Sequence, residues 1–183
     1  SRDIINRLSD AKTPQEIVGV FAYDEPDFSK THSSFPPVVI YCDNVSDPGN
    51  LGTMIRIADW FGFEVILVSA GSVDIHNPKT VRSSMGSVFN TEIYAGAGAP
   101  ELTALKKGGY RILSADIQGT EIGKIKNLQK TVLCFSSESH GPSGTVAGLA
   151  DGFITIPGKG QAESLNVASA ASIIMYHYST LKS

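Results

Sequence analysis

The stretch Val38-Val39-Ile40-Tyr41-Cys42-Asp43-Asn44-Val45-Ser46-Asp47-Pro48-Gly49-Asn50-Leu51 decides the fold. Its first five residues form a short, continuous, β-branched apolar run, which suits a strand buried on both faces. A polar loop follows, Asp43 to Asn50. Leu51, Met54, Ile55, Ala58 and Phe61 then recur at helical spacing until Gly62 ends the pattern. Val65-Ile66-Leu67-Val68 supplies a second buried strand, so residues 38–68 read as one βαβ unit. Working outward, further strands are expected at Arg111–Ser114, Thr131–Phe135 and Phe153–Ile156, and helices over 78–86, 100–107 and about Leu165 to Leu181. This alternation predicts an α/β domain with a mainly parallel sheet and helices on both faces.

At 183 residues the chain fits one domain, on a scale of roughly 100–200 residues per domain. Residues 36–183 are expected to form it, with 1–35 an N-terminal extension in which the polar, proline-rich Asp24–Pro37 is a linker or loop. Hydrophobic residues at 42% and charged residues at 18% allow a real core and exclude a disordered tail. No apolar run reaches the roughly 18 residues of a membrane span, and the N-terminus lacks an apolar signal core. Cys42 and Cys134 sit in apolar runs and read as buried thiols, which suits a reducing cytoplasm and excludes a disulfide scaffold. The net charge of −3 means that any nucleic-acid function must rest on a local site.

Several common signatures fail. Gly96-Ala97-Gly98 and Gly158-Lys159-Gly160 lack the third glycine and the strand–helix setting of a dinucleotide fingerprint. Gly119…Gly123-Lys124 is one residue short of a P-loop, and Gly141-Pro142-Ser143-Gly144 is no nucleophile elbow. His32, His76, His140 and His177 show no metal-ligand spacing, and no metal site is expected. Polar residues do concentrate after three strands: Asp43–Asn50 with Arg56, Ser136–Gly141, and Pro157–Asn166. Ligands bind at such strand ends in open α/β sheets. Spacing alone leaves open the alternative of three solvated turns with Asn50 and Ser164 as helix caps.

Asp47-Pro48-Gly49-Asn50-Leu51-Gly52-Thr53-Met54-Ile55-Arg56-Ile57-Ala58, with Phe61-Gly62, resembles the first motif of the SpoU (TrmH) branch of the SPOUT RNA methyltransferases. Asn77 to Gly86 resembles that family's intervening helix. Phe135 to Gly141 resembles its second motif, and Ile156-Pro157 with Glu163-Ser164-Leu165-Asn166-Val167-Ala168 its third. Order, spacing and strand context agree over residues 36–181. Thr13-Pro14-Gln15-Glu16-Ile17 is similar to the junction by which larger members join an N-terminal RNA-binding domain, which the acidic chain would then lack.

The resemblance implies a C-terminal trefoil knot, S-adenosylmethionine held in the knot loops (product S-adenosylhomocysteine), a homodimer, and 2′-O-methylation of ribose in rRNA or tRNA. Carried over residue by residue, it assigns catalysis to Arg56, Asn50, Glu138, Ser164 and Asn166. It assigns the cofactor pocket to Ser136, Ile156, Leu165, Gly141 and, on the adenosine side, Ser114. Lys79, Arg82 and Lys159 are candidate phosphate contacts. The second motif departs from the family's usual Gly-x-Glu-Gly, reading Ser136-Ser137-Glu138-Ser139, with Pro142 in place of an apolar residue. Added Cβ atoms there narrow backbone approach to a ligand. A catalytically weak cofactor- or RNA-binding module is therefore the alternative reading.

Methyl transfer from a sulfonium to a hydroxyl needs alignment, proton removal and exclusion of water, and no metal. Arginine, with a pKa above about 12, is a poor free base. Arg56 is better suited to grip a phosphate beside the target and stabilise alkoxide charge. The C-terminal helix, with Leu165, Ala168, Ala171, Ile174, Met175 and Tyr178, carries more apolar surface than one sheet face is expected to need, which points to burial against a second copy.

Overall fold

The computed structural model describes residues 2–9, 19, 22–137 and 141–182. Its elements, in chain order, are α1 (Arg2–Leu8), α2 (Phe28–Thr31), β1 (Val38–Asp43), α3 (Pro48–Trp60), β2 (Val65–Ser69), α4 (Pro78–Ser84), β3 (Glu92–Ala97), α5 (Ala99–Lys107), β4 (Arg111–Glu121), β5 (Thr131–Ser136), α6 (Gly144–Leu149), β6 (Gly152–Thr155) and α7 (Val167–Ser179). Every strand pairing is parallel, in the order β3-β2-β1-β5-β4-β6.

The two faces of β1 divide the core. Ile40 and Cys42 pack with Leu51, Met54 and Ile55 of α3 and with Ala171, Ile174 and Met175 of α7. Val39 and Tyr41 face the other way, against Leu102 and Leu105 of α5 and Val146 of α6. This period-2 split of a continuous apolar run is what helices on both faces of a parallel sheet require. All of β1 and β2 is buried. Burial raises the Cys42 thiol to about 12 and also raises Cys134, so neither is a ready nucleophile.

Several boundaries differ from the sequence expectations. Glu92–Ala97 is an additional strand, and α6 an additional short helix. The strand expected at 111–114 continues to Glu121. Its far half lies directly against β6: a Cβ on Gly119 would stand 2.6 Å from the Phe153 carbonyl carbon and oxygen. The 78–86 helix stops at Ser84, because Met85 and Gly86 are both left-handed (φ 52° and 95°). Segment 24–37 is not a loose linker. Phe28 sits edge-on to Phe35 and Tyr94, and the Tyr110 hydroxyl donates to the carbonyls of Phe35 (2.9 Å) and Pro36 (2.8 Å). The junction-like residues Thr13–Ile17 lie outside the described residues.

The expected apolar surplus on the C-terminal helix is also placed differently. Ala168, Ala171, Ile174, Met175 and Tyr178 are all buried within this one chain, because α7 packs on both α3 and the sheet. The apolar groups left exposed on α7 are Ile173 and Tyr176.

Candidate active site

The order of the sheet reverses where β1 meets β5, the place in an open α/β sheet where a crevice forms beyond the strand ends. Asp43 and Ser136 are register partners there. A cleft of 660 Å³ opens beside them, within the usual range for a small-molecule site of about 300–1,000 Å³. Its walls come from Ala115–Ile117 of β4, from Ser136, Ser137, Gly141 and Pro142 after β5, and from Ile154–Gly158 and Glu163–Leu165 around the loop after β6. Val167, Ala170 and Ile174 of α7 close the back.

The first motif is built as a helix start. The Asp47 side chain caps α3 by accepting from the Asn50 N–H at 2.8 Å, and Pro48 occupies the first helical turn, where its missing N–H costs nothing. A Cβ on Gly49 would come within 2.8 Å of Asp47 Oδ1. Lys79 Nζ donates to Asp47 Oδ2 at 3.1 Å. The Asn50 amide, and then Lys79, hold the Asp47 carboxyl below the ordinary carboxylate value. Further along α3, a Cβ on Gly52 would lie 2.4 Å from the Thr80 carbonyl oxygen, so only glycine lets α3 and α4 approach this closely.

The third motif is joined to the first by one hydrogen bond. Asn166 Nδ2 donates to Asn50 Oδ1 at 3.1 Å, while Asn166 Oδ1 caps α7 by accepting from the amides of Ala168 (3.0 Å) and Ser169 (3.3 Å). Asn166 is thus both cap and bridge. Arg56 projects from the exposed side of α3 and, among the described residues, makes no ion pair or hydrogen bond. An ion pair with Asp59 is absent.

Of the expected cofactor residues, Ser136, Gly141, Ile156 and Leu165 line the cleft, as does Ser164. Ser114 does not. It is fully buried in β4 with its hydroxyl unpartnered, and the wall begins one residue later at Ala115. Neither Arg56 nor Asn50 is part of the cleft lining; Asn50 is tied to it through Asn166, which adjoins Leu165 and Val167. Glu138 lies outside the described residues, with Ser139 and His140. Arg82 and Lys159 are exposed and unpaired among the described residues, whereas Lys79 is engaged with Asp47. The residue that sequence reasoning missed is Asp43, a carboxylate appended to the most buried strand; that position was its only signal. Among the described residues, no group of three or more His, Cys, Asp or Glu could hold a metal ion.

The cleft suits S-adenosylmethionine. Ile154, Ile156, Leu165 and Ile174 offer apolar contact, and a Cβ on Gly141, Gly158 or Gly160 would meet nothing within 4 Å, so the backbone there is open to a ligand.

Comparison with known proteins agrees with this geometry. The chain is 33% identical over 178 residues to the 23S rRNA (guanosine(2553)-2′-O)-methyltransferase RlmP of Bacillus subtilis, covering 97% of this chain and 70% of that protein. It is 30% identical over 182 residues to the 23S rRNA (uridine(2479)-2′-O)-methyltransferase of Streptomyces viridochromogenes, covering 95% and 63%. This chain therefore spans about two thirds of the length of the curated relatives it matches. Among solved structures, the AdoMet-bound rRNA methyltransferase from Sinorhizobium meliloti superposes with a TM-score of 0.89 at 28% identity, covering 97% of this chain and 69% of that one. The model of the SpoU rRNA Methylase family matches residues 37–176, and the chain belongs to that family.

Proposed function

We propose that the protein is an S-adenosylmethionine-dependent ribose 2′-O-methyltransferase acting on RNA, with rRNA the substrate class. The observation that carries this reading is the Asn50–Asn166 hydrogen bond, which joins the first and third motifs beside a cofactor-sized cleft. When bound, S-adenosylmethionine supplies a methyl group already activated on a sulfonium. The chain's residues must bring a ribose hydroxyl into line with it. Asn50 and Asn166 are neutral donors and acceptors suited to orienting the ribose. The Arg56 guanidinium grips the phosphate next to the target and stabilises negative charge developing on O2′. The hydroxyl proton then leaves to that phosphate or to water, and Ser164 faces the same space.

A trefoil knot and a homodimer belong to the same reading. The close passage of Gly119 over β6, the register shift that sets both Ala115 and Thr120 against Ile154, and the Thr155 hydroxyl donating to the Ile117 carbonyl at 3.1 Å are compatible with β4 crossing the strand that leads into the third motif, as a knot needs. Trp60 (80% exposed), Met85, Phe89, Ile173 and Tyr176 support the dimer: these exposed apolar groups belong to α3, α7 and the segment after α4, which pack on one another. Arg82 and Lys159 would supply phosphate contacts, so RNA binding should be weak and steeply salt-dependent. Residues 1–35 are proposed as an N-terminal extension of the methyltransferase domain 36–183, with Phe28 packed on Phe35 and Tyr94.

Calorimetric titration with S-adenosylhomocysteine tests the core of the proposal. Saturable binding is expected; no binding at millimolar ligand by the folded protein would overturn it. Sedimentation equilibrium tests the dimer, which a 19.4 kDa species at micromolar concentration would refute.

A further inference from the structure

We propose that Asp43 is a positioning residue for the cofactor site: a buried carboxylate that latches both flanks of the second-motif loop to the end of β1. The inference rests on the methyltransferase reading above and goes beyond the motif residues.

Asp43 is 1% exposed, at the last position of the central strand. One carboxylate oxygen, Oδ2, accepts from the Ser136 hydroxyl at 2.9 Å and from the Ser143 backbone N–H at 2.7 Å. Its backbone carbonyl accepts from the Ser137 N–H at 3.3 Å. Between these anchors the Gly141 N–H donates to the Ser137 carbonyl at 3.0 Å. The residues so tied, Ser136, Ser137 and Gly141–Ser143, include one wall of the 660 Å³ cleft. Ser143 in turn caps α6 through its hydroxyl, which accepts from the Val146 N–H at 3.3 Å. Asp43 thus fixes where the wall leaves the sheet and where it re-enters a helix.

Two features separate this latch from ordinary strand-end bonding. Among the described residues no ion pair reaches Asp43, and its side-chain bonds, from a hydroxyl and from a backbone amide on opposite flanks of the loop, converge on a single oxygen. Moreover, Ser136 stands where the second motif usually has glycine, and its hydroxyl is spent on Asp43. The substitution that was expected to crowd the cofactor therefore adds a bond to the latch. Loosening the latch should blur the wall's position, which costs cofactor affinity more than it costs chemistry at saturation.

The test uses the full chain with Asp43→Asn, Ser136→Ala and Ser136→Thr. S-adenosylhomocysteine affinity is read by calorimetry, turnover at saturating S-adenosylmethionine by methyl incorporation, and latch integrity by amide exchange at Ser137 and Ser143 in the ligand-free protein. Asp43→Asn is expected to weaken ligand binding about tenfold, the scale of one buried hydrogen bond, while turnover at saturation stays near wild type. Ser136→Ala should lose affinity in the same direction by less, and Ser136→Thr, which keeps the hydroxyl, should restore it. Faster exchange at Ser137 and Ser143 should accompany each loss. Unchanged affinity in both Asp43→Asn and Ser136→Ala would overturn the proposal, leaving Asp43 as a purely structural group. If Asp43→Asn does not fold, the Ala–Thr pair at Ser136 decides alone. Failure of the wild-type chain to bind the ligand would instead overturn the methyltransferase reading, a distinct outcome.

Discussion

Residues 47–56 and residues 157–165 flank the same site and are built in opposite ways. The first segment is over-determined: Asp47 caps α3 and pairs with Lys79, Pro48 opens the helix, and Gly52 lets α4 press against it. The second is exposed throughout and, among the described residues, makes no hydrogen bond or ion pair until Asn166 anchors it to Asn50 and α7. The contrast has a mechanistic sense. A group that stabilises transition-state charge works best when its position is fixed beforehand. A ligand-lining segment left without hydrogen bonds between its anchors, β6 before it and Asn166 after it, can adjust to what it binds.

The largest expected effect falls on the chemistry proposed for the first segment. Arg56→Ala should reduce turnover by about 10²-fold or more while leaving S-adenosylhomocysteine affinity unchanged, as loss of one transition-state charge contact predicts. Single-turnover methylation alongside calorimetry checks it, and loss of affinity with turnover intact would place Arg56 in the wrong role. Next comes the α3–α4 contact. Gly52→Ala forces a methyl against the Thr80 carbonyl, and should cost about 1–3 kcal/mol in urea unfolding. A neutral result would show that α3 is held less tightly than its packing indicates.

Smaller effects sharpen the comparison. Asp47→Ala removes a helix cap and should cost about 1 kcal/mol. In the wild-type protein the folded-state carboxyl of Asp47 titrates below its ordinary value. Its contribution should therefore be complete above the ordinary carboxylate pKa of about 3.9 and fade as pH falls through the lowered value. The Asp47→Ala variant should lack that part of the acid sensitivity. Gly160→Ala, in the unbonded loop, should change stability by no more than about 0.5 kcal/mol, because a Cβ there meets nothing within 4 Å. A large loss on thermal melting would show that the loop is held after all.

Legibility in the sequence followed burial and periodicity. β1, β2 and β5 are continuous apolar runs and were expected nearly residue for residue. β3 escaped because it is an edge strand, half exposed, with Gly96 at φ 75° breaking its alternation. α6 is too short, at six residues, to show a helical period. Of the residues expected from motif resemblance, Ser136, Gly141, Ile156, Ser164 and Leu165 line the cleft, and Asn50 and Asn166 are joined beside it. Ser114, expected at a strand end, instead lies within β4 and faces the core, because the strand continues to Glu121. Asp43 had no motif to announce it.

The sequence by itself determined the local pieces: the βαβ unit of residues 38–68, the capped start of α3 at Asp47-Pro48-Gly49-Asn50, and the alternation that demands a two-sided parallel sheet. These depend on side-chain period, backbone freedom and capping within a few residues. Tertiary structure alone decided that β5 lies beside β1, which sets Asp43 against Ser136, and that Asn166 meets Asn50 across 116 residues of chain. Parallel strands with equally apolar faces can pair in many orders, and no local pattern encodes which neighbour each one takes. The choice is made only when the helices close over both faces and the polar strand ends are left to find partners in one another.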